Sequence, residues 1–110
     1  MSAGISKVNI PVQDRVMLHL LENDVQADRY FVGPELTRPG IAESCALHPP
    51  NVSRTMRDLL RKNMASEHTR NIKGDDRRQK TWQLTEEGRE KATQIKQKLS
   101  STMIVIRDSK

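Results

Sequence analysis

Asn51, Arg54 and Arg57 stand three residues apart in the run PPNVSRTMRDLLRK, a spacing that lines them along one side of a helix. Their chemistry is recognition of base edges, since an Asn amide pairs bidentately with adenine and an Arg guanidinium with guanine. Ser53 and Thr55 lie between them, and their hydroxyls suit phosphate oxygens. Arg61 and Lys62 follow further back, where they touch backbone or nothing. Val52, Met56, Leu59 and Leu60 recur at i, i+4, i+7 and i+8, which is the pattern of a buried stripe. The segment therefore predicts a helix from about Pro50 to Lys62, greasy on its inner side and rich in arginine on its outer side. A second basic group, Lys73, Arg77, Arg78 and Lys80, surrounds the turn signal Lys73-Gly74-Asp75-Asp76. Cations on a hairpin tip suit a narrow minor groove, where negative potential concentrates.

No set of residues promises catalysis or metal binding. The sequence has no Gly-rich phosphate loop and no nucleophile with a base at motif spacing. Asp75 and Asp76 sit on a turn among arginines, which would keep both ionised. His19 and His68 lack a partner at ligand spacing, and His48 in its turn reads as a base or phosphate contact or as a histidine without a role. No enzyme, cofactor or metal is expected. Cys45 is the one cysteine, so an intrachain disulfide framework and a multi-cysteine zinc site are excluded and a reducing compartment is expected. Its place on an apolar helix face predicts a small buried residue, with a redox sensor as the alternative.

The elements that must position these residues follow from periodicity. Pro11 opens a first helix to about Asn23, with Val12, Val16, Met17, Leu20 and Leu21 forming its apolar stripe. A short extended piece at 30–32 precedes Gly33-Pro34. Thr37 then caps a helix from Arg38 to Cys45 whose inner face is Ile41, Ala42, Cys45 and Ala46. The Pro49-Pro50 pair opens the arginine-bearing helix, and two short helices joined this tightly are a helix-turn-helix. Residues 64–72 and 78–84 read as two strands of a β-hairpin, with Lys80, Trp82 and Leu84 on one side and Thr81 and Gln83 on the other. Trp82 is expected in the core through its register with Leu84, with stacking on a base as the alternative. Thr85 caps the last helix, Glu86 and Glu87 favour its first turn, and Gly88 permits close packing against the hairpin. Ala92, Ile95, Leu99, Met103 and Ile106 form the apolar line of this helix.

Composition agrees with these assignments. The 110 residues carry a net charge of +5 and only three aromatic residues, Tyr30, Phe31 and Trp82. Positive charge favours a polyanionic partner through counterion release, and a core of aliphatic side chains suits packed helices. No leader pattern and no run of 18 apolar residues is present; a cytoplasmic protein without a membrane partner is expected. Residues 1–10 read as a flexible N-terminus, 11–90 as one domain, and 91–110 as a C-terminal helix.

The order helix, strand, helix, helix, hairpin, helix is that of a winged helix. From Ile41-Ala42-Glu43, Leu47, Val52-Ser53-Arg54 and Leu59 to Asp76, Arg78, Leu84-Thr85 and Gly88, the chain resembles the MarR-type winged helix-turn-helix regulators, and also N-terminal winged-helix modules of archaeal regulators. The resemblance spans about residues 36–90. It implies a mainly α (α+β) fold with a three-helix core, a β-hairpin wing and a long C-terminal helix. It also implies double-stranded DNA as partner and an archaeal or bacterial transcriptional regulator. Arg78 is then the wing arginine that enters the minor groove, and Asp76 the residue that orients it. Ile95, Leu99, Met103 and Ile106 form either a homodimer seam or a tail covering the domain's own core. Three other functions stay open: a winged-helix protein-interaction or RNA-binding module, a non-specific architectural DNA binder, and the targeting module of a larger enzyme.

Overall fold

The computed structural model describes residues 10–24, 31–74 and 77–108, as backbone alone at 31 and 101–108. Helix α1 (Val12–Asp24) begins where the Arg15 N–H reaches the Pro11 carbonyl at 3.0 Å. It buries Val16, Met17 and Leu20. Val12 departs from the expected stripe and is exposed, because it sits in the first turn beyond the edge of the core. Strand β1 (Phe31–Val32) and a 3₁₀ turn (Pro34–Leu36) lead into α2 (Arg38–Cys45), the span expected from Thr37 and the following periodicity. Ala46, expected on the inner face, is exposed. It is the C-cap residue with φ 57° and ψ 51°, so its side chain leaves the helical face.

Helix α3 (Pro49–Arg61) starts one residue earlier than expected. His48 gives no side-chain cap. Two prolines at the start remove two of the four N–H groups that a helix N-terminus leaves unpaired, so the cap is less needed. Val52, Met56 and Leu59 are buried, and Leu60 packs against them part-buried. Strands β2 (Ala65–Ile72) and β3 (Arg78–Leu84) form the antiparallel hairpin, from Ala65 opposite Leu84 to Asn71 opposite Arg78. β1 adds to β2 in parallel, giving the order β1-β2-β3. Thr81, placed by alternation on the side opposite Trp82 and Leu84, has no exposed surface and is buried as they are. Thr37 forms a bridge with Thr81, and the Thr81 hydroxyl is satisfied by donating to the His68 carbonyl at 3.2 Å.

Helix α4 (Glu86–Asp108) runs unbroken past residue 90. Its Ala92 is fully buried and Ile95 packs against the same core, where α4 meets α1. Asp24 and Arg89 close this contact with an ion pair at 3.0 Å. The helix starts of α2 and α4 repeat one device. The Thr37 and Thr85 hydroxyls each donate to a carbonyl, of Pro34 at 2.7 Å and Asn63 at 2.8 Å. Each also accepts the N–H three residues on, from Gly40 at 3.2 Å and Gly88 at 3.0 Å. A Cβ at either glycine would fall on a backbone oxygen, that of Pro34 or that of Met64. The result is a mainly α, winged helix-turn-helix architecture.

Candidate nucleic-acid interface

The side of α3 opposite Val52, Met56 and Leu59 carries Arg54, Arg57 and Arg61, all exposed. Among the described residues neither Arg54 nor Arg57 is held in an ion pair, while Arg61 meets Asp58 of its own helix at 3.4 Å. A surface pair of this kind contributes little, about 0–1 kcal/mol, so Arg61 is easily released to another anion. Asn51 lies part-buried in the first turn, where its N–H meets the His48 carbonyl at 2.9 Å. Ser53 and Thr55 are part-buried on opposite flanks. Ser53 accepts a hydrogen bond from Arg38 Nη1 at 3.2 Å. Lys62, the C-cap of this helix, reaches Gln13 of α1 with its ammonium at 3.2 Å.

Lys73, Arg77, Arg78 and Lys80 are exposed on the hairpin. The left-handed φ of +84° at Gly74 makes the turn between them. Arg78 lies along the hairpin, with Nη2 donating to the Thr69 carbonyl at 3.1 Å. The orienting role expected of Asp76 falls outside the described residues. So do the side chains of Met103 and Ile106, while Leu99 is part-buried.

A groove of about 580 Å³ joins the two basic groups, since Ser53 and Arg57 of α3 line it together with Gln79 and Lys80 of β3. Helix and wing thus share one face. Sequence reasoning missed two residues there. Arg38 opens α2 and reaches Ser53 across the turn; its place in the first turn after a Thr cap was visible, its direction was not. Glu67 of β2 accepts from Trp82 Nε1 at 3.1 Å and lies 3.7 Å from Lys80 Nζ. No local pattern marks it, because its partners are cross-strand neighbours.

Cys45 is buried, and its thiol lies 3.8 Å from the Arg15 carbonyl. Burial pushes the thiol pKa up, and the nearby Arg15 charge opposes this to a lesser degree. The neutral thiol is therefore held below its folded pKa, and stability falls only at alkaline pH, once ionisation would begin in the unfolded chain. At neutral pH iodoacetamide is expected to label Cys45 slowly in the folded protein and rapidly in urea, followed by mass spectrometry. Equal rates in both would mean that the thiol is not enclosed.

Among the described residues no group of His, Cys, Asp or Glu could hold a metal ion, and no helix is long and apolar enough to cross a membrane. Neither the models of protein families nor the curated proteins give a match to this sequence. Solved structures do. An apo variant of ZitR from Lactococcus lactis is similar with a TM-score of 0.69 and 18% identity, over 94% of this chain and 68% of that one. A second ZitR variant has a TM-score of 0.67 and 18% identity over 88% of this chain, which spans only 57% of that protein's length. MepR from Staphylococcus aureus, solved with DNA, gives a TM-score of 0.61 and 23% identity over 92% of this chain and 68% of that one. MepR is described as a transcription regulator of a multidrug efflux pump. The chain has the winged helix-turn-helix fold of MarR-type regulators.

Proposed function

We propose that the chain binds double-stranded DNA in a sequence-specific way, as the DNA-binding part of a transcriptional regulator. The observation that carries this reading is the common face of α3 and the hairpin, where arginines without ionic partners stand beside a cationic wing. Helix α3 enters the major groove, where base edges are distinguishable, and the wing follows the adjacent minor groove. Asn51, Arg54 and Arg57 read bases. Ser53, Thr55 and Arg61 contact phosphate, as do Lys73, Arg77 and Lys80, and Arg78 enters the minor groove with Asp76 as its orienting partner. Similarity to MepR, which has been solved in complex with DNA, supports the same reading. Two copies joined through Ile95, Leu99, Met103 and Ile106 of α4 would set two recognition helices about 10 base pairs apart on a near-palindromic site. The chain works in the cytoplasm and performs no catalysis.

The test is selection of bound sequences from a random duplex library, with the protein's mass in solution measured alongside. Enrichment of a near-palindromic motif by a dimer is expected. Recovery of unselected sequence would reduce the protein to a general DNA binder. On the selected duplex, Arg54→Ala is expected to cost about 1–3 kcal/mol and to relax preference at one base position per half-site. Unchanged affinity and selectivity would remove Arg54 from the base-reading set.

A further inference from the structure

We propose that the groove between α3 and the hairpin seats a phosphate of the DNA backbone between Arg38 and Lys80, and that Glu67 is a built-in counter-charge that weakens this hold. The inference rests on the DNA-binding reading above. A helix in the major groove and a wing in the neighbouring minor groove have one sugar–phosphate strand running between them. The groove lies at that place, and the two cations of the seat come from separate elements, α2 and β3. Arg38 is pre-oriented, because Nη1 is already donating to Ser53 at 3.2 Å while the rest of its fork of five N–H donors remains to grip a phosphate.

Glu67 is out of place on a surface meant only to attract phosphate. It is fixed there from within. One carboxylate oxygen accepts the Trp82 indole N–H at 3.1 Å, and the other lies 3.7 Å from the Lys80 ammonium. Trp82 is only 4% exposed, so a Glu67 that swung away would leave a buried N–H unpaired. A phosphate entering the groove must share Lys80 with this carboxylate and accept its repulsion. The penalty falls on every duplex alike, since phosphates carry no sequence. Glu67 therefore lowers the sequence-independent part of binding and leaves base reading by Arg54 untouched.

The experiment measures affinity for a selected and an unrelated duplex of about 30 base pairs, in salt from about 50 to 200 mM. Glu67→Gln keeps an acceptor for the Trp82 N–H and removes the charge. It is expected to tighten both duplexes by a similar factor of roughly 5, and to steepen the salt slope by about one unit. Arg38→Ala is expected to weaken both by a similar factor and to flatten the slope by about one unit. Thermal unfolding and Trp82 fluorescence check that both variants are folded. A parent that binds duplex with variants that leave the slope unchanged would overturn the groove and leave the DNA-binding reading intact. A parent that binds no duplex would remove the reading itself, and the groove with it.

Discussion

Leu59→Ala is expected to cost about 2–5 kcal/mol of unfolding free energy, the range for a large aliphatic side chain truncated in a closed core. Leu59 has no exposed surface and lies in one cluster with Val52 and Met56 of its own helix and with residues of α1, α2, the sheet and α4. Few of these neighbours can collapse into the gap. Val16, Met17 and Leu20 are fixed along α1, and Ile41 is equally enclosed in α2. The loss bears on the proposed DNA-reading side, because this buried stripe faces away from the exposed Arg54 and Arg57. Urea titration checks the number. A change below about 1 kcal/mol would mean that α3 does not dock through this side chain.

Gly88→Ala is expected to destabilise by about 3 kcal/mol, against the sign that helix propensity alone would give. In an exposed helix the exchange would gain about 1 kcal/mol. Here the added Cβ would fall on the Met64 carbonyl oxygen, which already accepts the Thr85 N–H at 3.1 Å, with Leu84 Cδ2 at 3.2 Å on another side. A flexible side chain could swing aside; a backbone oxygen at the junction of β2, β3 and α4 cannot. Relief requires moving α4 away from the hairpin, which opens the contacts of Ala92 and Ile95 with the core. The expected fall in Tm is roughly 10–20 °C by calorimetry. A rise in Tm would show that the helix start has room and that Gly88 serves only as an ordinary first-turn residue.

Local signals carried much of the molecule. The apolar spacing of Val52, Met56 and Leu59, the Thr37 and Thr85 caps and the Lys73-Gly74 turn are short-range features, and each fixes an element through contacts within a few residues. The arginines of α3 were legible for the same reason: once a helix has a greasy side, the remaining side is determined by its period.

What failed locally involved a neighbour distant in sequence. Thr81 alternates to the side opposite the core residues Trp82 and Leu84, yet it is buried where Thr37, far back in the chain, pairs with it. Val12 fits the stripe but lies beyond the edge of the core, and Ala46 fits it until the chain turns left-handed. Sequence alone determined which residues carry base-pairing or phosphate-binding chemistry and which elements bear them. Only tertiary structure decided that helix and wing face the same way, and that Arg38 and Glu67 meet between them. Periodicity fixes the direction of a side chain relative to its own element, whereas the relative placement of elements is set by long-range packing.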